Sequence, residues 1–397
     1  MKTRIQPLFI LLILFFFSCK KNDVPNPAVT NGSFVSATSV GSYTKASLQA
    51  LATLGGYGNF ATLINYDVDF YKLVYKTDYK GTLIDASGIV AIPKNTGTTP
   101  SLISAQHGTI FKDTDAPSNF PATFSGFEIC AAAGFITAIP DFIGYGVSKD
   151  VVHPYYDQHY SGTVVVDMIN AMKQFLAKQS IAFNSRLFLV GYSEGGYVTM
   201  AAQKEIETHA EHKLILTAAA EGAGGYDLQG MLSGITTTTS YNNPSYLALI
   251  LQSYNTTYGW NRPTTDFYQA PYAAKMASLL DGSKNGSEIN NELTTSPTAL
   301  FTPAFFAALT SATGEPVLKQ AIVTNSFAGW YPKSPTRLYH GTADVTVFYQ
   351  TSVTTFNQFK AAGATNVEFF PIANGNHGTS IQPMMLDVLP WIKGLDK

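Results

Sequence analysis

Cysteine is nearly missing: Cys19 and Cys130 are the only two in 397 residues. A disulfide-framed scaffold is thereby excluded, and stability must come from packing. Charge is also scarce, at 13% of residues with a formal net charge of −2. Without any Lys or Arg run beyond short pairs there is no electrostatic reason to bind nucleic acid. There is no internal repeat. What is abundant is apolar side chain, 45% of the chain, which describes a globular protein rather than a disordered one. The length suits one large domain with an insertion, or two smaller domains.

The amino-terminal residues differ from the rest. Lys2 and Arg4 precede an apolar run from Leu8 to Phe17 that ends at Ser18 and Cys19. This reads as an export signal, too short for a comfortable membrane-spanning helix. Ser18-Cys19 resembles the lipobox of bacterial lipoproteins, and the resemblance implies that residues 1–19 are signal and lipobox and that Cys19 becomes an acylated first residue. The expected location is a bacterial membrane, outer rather than inner, reached only through that lipid. An ordinary signal peptide or an uncleaved anchor is the alternative. Residues 20–43, rich in Ser, Thr, Asn, Gly and Pro, read as a flexible tether. Cys130, in the apolar stretch Phe127 to Gly134, reads as a buried, inert thiol.

Periodicity gives the organisation of the remainder. A helix is expected over Lys45 to Leu54, then a hairpin of Asp69 to Thr77 with Thr82 to Pro93 around the turn at Asp78 to Gly81. Strands at Ser101 to Gln106, Phe135 to Pro140, Arg186 to Val190 and Leu214 to Ala220 alternate with helices at Thr123 to Ala133, Gly162 to Lys178 and from Glu194. That alternation predicts an α/β fold with a mostly parallel central sheet and helices on both faces. It lapses over residues 226–330, an aromatic-rich stretch read as a mostly helical cap. It resumes with a strand at Thr336 to Tyr339, a helix at Gln350 to Ala362, a strand at Val367 to Ile372 and a helix at Ile381 to Lys393. Residues 44–225 and 331–397 are thus expected to be two parts of one core.

The chemistry concentrates at Gly191-Tyr192-Ser193-Glu194-Gly195, a G-x-S-x-G directly after an apolar strand and directly before a helix. A serine at such a bend projects its hydroxyl from the sheet edge, and the helix behind it favours negative charge developing there. Serine needs a base to take its proton. His377, in the turn between the last strand and the last helix, can reach back to it. Asp344, after the strand at Thr336 to Tyr339, is the carboxylate expected to fix the imidazole. Glu221 and Asp227 are competing acids. The expected oxyanion donors are the amides of Glu194 and Thr109. Of the other histidines, His209 and His212 read as solvated and His107 and His340 as turn residues. His153 and His159 flank Asp157 in what reads as a polar loop rather than a metal site, so no metal is expected.

With these residues, together with Gln106-His107-Gly108-Thr109, Asp141-Phe142-Ile143-Gly144-Tyr145-Gly146 and His340-Gly341-Thr342-Ala343-Asp344, the chain from about Tyr71 onward resembles the α/β-hydrolase superfamily. Within it the likeness is to bacterial lipoprotein hydrolases and secretory lipases. The resemblance implies carboxylic ester hydrolysis through an acyl-enzyme on Ser193, with His377 as general base and no cofactor, on a small-molecule or lipid ester. It also gives Asp141 a structural role. Two other readings stay open: an exported serine peptidase with the same triad, and a surface binding lipoprotein with a disabled site.

Overall fold

The computed structural model describes residues 30–397. The expected signal and lipobox, with Cys19, lie outside the described residues. Phe34–Tyr43, assigned above to a tether spanning 20–43, is instead strand β1, antiparallel to β2 (Val68–Tyr79). Its Thr, Val and Tyr residues favour extended backbone, and Phe34 stacks on Phe175 with centroids 5.8 Å apart. Polar composition had suggested a linker because the partner strand is remote in sequence. β2 pairs with β3 (Thr82–Pro93) in the expected hairpin, and α1 (Lys45–Leu54) is capped by Thr44, whose hydroxyl accepts from the Ser47 amide at 3.1 Å.

β4 (Leu102–Gln106), β5 (Ile136–Pro140), β6 (Leu187–Tyr192) and β7 (Ala218–Gly222) are buried throughout. Continuous burial is what a parallel strand covered on both faces requires. With β8 (Thr336–Gly341) and β9 (Val367–Ile372) they complete a nine-stranded sheet in the order β1-β2-β3-β5-β4-β6-β7-β8-β9, antiparallel over its first four strands and parallel from β5 onward. Of the crossover helices, α2 (Ile129–Ala132) is a single turn rather than the helix expected over Thr123 to Ala133. The Glu128 carboxylate accepts from the amides of Ser125 and Gly126 and so holds a turn where the helix would have continued. α3 (Gln158–Lys178) is capped by Asp157, and α4 (Glu194–Thr208) follows β6 directly. The strand expected over Leu214 to Ala220 starts only at Ala218, and Ile215 is 83% exposed.

Between β7 and β8 lie eight helices: α5 (Leu228–Thr237), α6 (Pro244–Thr257), α7 (Thr264–Phe267), α8 (Tyr272–Leu279), α9 (Gly286–Glu292), α10 (Pro297–Leu300), α11 (Pro303–Thr310) and α12 (Pro316–Thr324). α13 (Tyr349–Ala361) and α14 (Ile381–Leu395) close the chain. Buried Asn325, just after α12, ties this insertion to the core. Its side-chain oxygen accepts from the Gln158 amide at 2.9 Å, and its nitrogen donates to the hydroxyls of Tyr254 at 3.2 Å and Tyr258 at 2.7 Å. Its backbone oxygen accepts from the Tyr197 hydroxyl of α4 at 2.7 Å. Among the described residues no helix is long and apolar enough to cross a membrane.

Cys130 is fully buried in α2, and burial pushes its thiol up to about 12. A thiol so placed stays protonated and unreactive. In a Cys19→Ser variant at pH 8, Ellman's reagent should therefore titrate Cys130 only after unfolding in guanidinium; rapid reaction of the native protein would contradict its burial.

Candidate active site

The bend after β6 is stored strain held by its surroundings. Ser193 has φ +61° and ψ −128°, outside the regions a residue with a side chain ordinarily occupies. Its amide donates to Gly222 O of β7 at 2.8 Å, and its carbonyl accepts from the amides of Gly196 at 2.9 Å and Tyr197 at 3.2 Å. Gly191 and Gly195 are required by contact: a Cβ on Gly191 would collide with the Gly195 carbonyl, and one on Gly195 with the Gln106 carbonyl. Thr199, in the second turn of α4, locks that helix onto β4, its hydroxyl lying 2.6 Å from Gln106 Oε1.

His377 and Asp344, at the carboxyl ends of β9 and β8, converge on this bend. His377 Nε2 is 2.7 Å from Ser193 Oγ, and His377 Nδ1 is 2.6 Å from Asp344 Oδ2. The hydroxyl of Tyr192 donates to the His377 carbonyl at 2.7 Å and so fixes the loop that carries the imidazole. The other oxygen of Asp344 accepts from the amides of Thr346 at 2.9 Å and Val347 at 3.0 Å. Burial raises this carboxyl, but the hydrogen bonds and charges of His340 and His377 outweigh burial and hold it at about 2. The competing acids are placed elsewhere. Glu221 is enclosed within β7, where burial pushes its carboxyl well up, and Asp227 caps α5.

His340 is more than the turn residue its sequence position suggests. It is fully buried, with Nε2 2.9 Å from Val347 O and 3.2 Å from Asp344 Oδ2, while Nδ1 faces Ser352 Oγ at 2.6 Å. A proton on Nε2 and a Ser352 hydroxyl donating to Nδ1 satisfy the ring completely. Asp344 thus carries two imidazoles.

The expected oxyanion donors lie on either side of the serine. Glu194 begins α4, and the turn of His107 to Thr109 lies against Ser193, a Cβ on Gly108 standing 3.6 Å from the Ser193 Cβ. Thr109 is held by its hydroxyl, 3.0 Å from the Tyr155 hydroxyl, and His107 stacks on Phe142 with centroids 4.1 Å apart. Asp141 ties the neighbouring loops together by accepting from the Ser87 hydroxyl at 2.5 Å and the Ser118 amide at 2.8 Å.

His153, expected in a polar loop, is instead buried and pairs with the side chain of Glu194, Nε2 to Oε1 at 2.6 Å. Its Nδ1 lies 2.7 Å from Ile143 O, a contact that only N–H donation satisfies, so a proton must also sit between Nε2 and the carboxyl group. Glu194 Oε2 has no partner among the described residues. Asp157 caps α3 and accepts from the Tyr258 hydroxyl at 2.8 Å, which separates its role from that of His153. No sequence signal paired residues 153 and 194, since the two meet only through tertiary packing.

The family model for secretory lipases matches residues 128–394. The chain belongs to the secretory lipase family. As a secretory lipase it is a carboxylic ester hydrolase of the α/β-hydrolase fold, and its family points to export. Solved structures agree on the fold. A Legionella pneumophila protein described as a hydrolase aligns with a TM-score of 0.86 at 24% identity, covering 92% of this chain and 98% of that one. The rice cell wall degrading esterase LipA of Xanthomonas oryzae aligns at 0.78 and 23% identity, covering 91% and 96%. Candida antarctica lipase A in its closed state aligns at 0.67 and 17% identity, covering 92% and 82%. No curated protein sequence matches the chain.

Two stability measurements check the geometry. Replacing His153 by Ala leaves the Glu194 carboxyl buried without its partner and should lower unfolding free energy by about 3 kcal/mol; a loss below about 1 kcal/mol in urea melts would contradict the pairing. The low folded value of Asp344 means stability that is present above the unfolded value near 3.9 and lost as pH falls toward 2. Glu128 and Asp167, both pushed up to about 7 by burial, act in the opposite direction. The difference between wild type and Asp344→Asn in urea midpoint should therefore shrink between pH 5 and pH 2, and a constant difference would count against a paired Asp344.

Proposed function

We propose that Ser193, His377 and Asp344 act as a catalytic triad that hydrolyses carboxylic esters through an acyl-enzyme. The observation that carries the reading is the unbroken chain of short contacts from Asp344 Oδ2 through His377 to Ser193 Oγ. In this mechanism Ser193 attacks the ester carbonyl as its proton passes to His377 Nε2. Asp344 stays ionised and stabilises the imidazolium. The amides of Glu194 and Thr109 receive the oxyanion. His377 then gives its proton to the departing alcohol, and water repeats the sequence on the acyl-enzyme.

Residues 226–330 serve in this reading as a cap that shields the acyl group. An apolar cavity of about 110 Å³ opens on Ser193 and is walled by Leu228, Met231 and Ile235 of α5, Ile250 of α6, Phe305 of α11 and Ile322 of α12. Apolar walls favour an alkyl group over a peptide, which is why an ester is preferred to an amide substrate. An apolar cavity of roughly 150 Å³ accommodates a benzene-sized guest, so this cavity suits a short acyl tail of about four to six carbons. The segment before the described residues supplies export, and Cys19 a lipid anchor to a bacterial membrane. Loss of palmitate labelling in cells carrying Cys19→Ser would support the anchor, and retained labelling would exclude it.

Ser193→Ala should lower kcat/KM on para-nitrophenyl butyrate by about 10⁵-fold or more while keeping the fold and abolishing fluorophosphonate labelling. Undiminished turnover would end the proposal, and failure of folded wild type to label would favour a non-catalytic binding lipoprotein. Across a series of para-nitrophenyl esters kcat/KM should peak at short acyl chains; a maximum at sixteen carbons would require a cap position different from the one described. Cleavage of dipeptide amides in preference to esters would turn the reading to a peptidase.

A further inference from the structure

At the end of α4 far from Ser193, three side chains with metal-ligand chemistry meet. Glu205 and His209 are one helical turn apart, and His212 follows in the short turn of Ala210 to His212. His212 Nε2 is 2.7 Å from Glu205 Oε1, and His209 Nδ1 is 3.2 Å from Glu205 Oε2. One ligand atom from each of the three lies within 4.8 Å of the other two. From these observations we propose that Glu205, His209 and His212 bind a divalent transition metal, Zn²⁺ foremost, with solvent filling the fourth position.

The donor set argues for this class of ion. Two imidazoles and one carboxylate suit Zn²⁺, Ni²⁺ and Cu²⁺, whereas Ca²⁺ and Mg²⁺ prefer oxygen alone. Metal–ligand bonds near 2.0 Å in tetrahedral array place donor atoms about 3.3 Å apart. His209 Nδ1 stands at about that spacing from Glu205 Oε2, whereas His212 Nε2 is held at 2.7 Å from the other oxygen, Oε1, so rotation of the carboxylate and the two rings must bring the three donors onto one ion. The rigidity is unequal in a useful way. Glu205 sits where Gly162 of α3 presses on α4, and a Cβ on Gly162 would come within 3.1 Å of the Glu205 Cβ. His212 is 19% exposed and His209 is 48% exposed, so the ion enters from solvent on the His209 side while the other two ligands hold still.

In the empty site His212 presents its Nε2–H to the Glu205 carboxylate, and His209 presents its Nδ1–H to the Thr208 hydroxyl at 3.1 Å, beside that carboxylate. Uptake of the metal moves each ring's proton to its other nitrogen, frees a lone pair at His209 Nδ1 and His212 Nε2, and takes no electron. Lys204, the nearest cation on α4, is turned aside to the Gln158 side chain, and Lys213 follows His212 with left-handed backbone. Glu205 lies twelve residues along the chain from Ser193, roughly 18 Å along the helix axis. An ion there cannot reach the ester. It would tie the last turns of α4 to the segment leading into β7, the strand whose Gly222 carbonyl supports Ser193.

Full-length protein stripped with EDTA should bind one equivalent of Zn²⁺ in isothermal titration calorimetry and melt several degrees higher with the ion present. The double variant His209→Ala/His212→Ala should lose both effects, and Glu205→Gln should weaken binding at least tenfold. His377→Ala should bind as tightly as wild type, which separates this site from the one at Ser193. Hydrolysis of para-nitrophenyl butyrate by His209→Ala should equal that of wild type. Absence of stoichiometric uptake by the wild-type protein would overturn the proposal, as would unchanged affinity in the double variant.

Discussion

Everything at the carboxyl edge of the sheet depends on one backbone residue being held where it does not relax. Ser193 keeps φ at +61° because its amide is fixed to β7, its carbonyl to the first turn of α4, and its flanking glycines allow helix and strand to touch. Such a conformation costs on the order of 1–3 kcal/mol, which the surrounding contacts must exceed. The return is direction. The hydroxyl leaves the sheet edge along a line that meets an imidazole arriving from three strands away.

Two pairs of carboxyl and imidazole flank that residue, and their environments give them different work. Asp344 is ionised and carries two rings, one of them fully enclosed and the other turned to the serine. His340 is therefore part of what keeps Asp344 charged, since burial alone would favour its neutral form. Glu194 and His153 are sealed on the other side, sharing a proton below the first turn of α4. Their value is in fixing where the Glu194 backbone sits, and the amide expected to meet an oxyanion belongs to that same residue.

Much of this was legible in the sequence because it is local. An apolar strand, a G-x-S-x-G and a helix are contiguous, and Asp344 and His377 each follow a strand by only a few residues, so chain order alone brought the three together. What escaped was non-local. β1 was taken for tether because polar composition says nothing of a partner strand some thirty residues on. His153 and Glu194 lie in separate crossovers, with no spacing to link them. His340 precedes a glycine at a strand end, which describes its backbone and conceals its side chain. The shortened α2 was lost to a single carboxylate, Glu128, whose turn interrupts a stretch with good helical composition.

Asn325 has a consequence for how the eight inserted helices can move. It joins α3, α4 and α6 at one buried point, where its side chain and backbone oxygen are bonded to protein groups. Detaching the insertion as a rigid unit would break all of these bonds at once. In the proposed cap, movement that admits a substrate would accordingly be a bending about this pivot, greatest in the helices farthest from it, while the floor beside Tyr197 stays anchored to the helix that begins after Ser193.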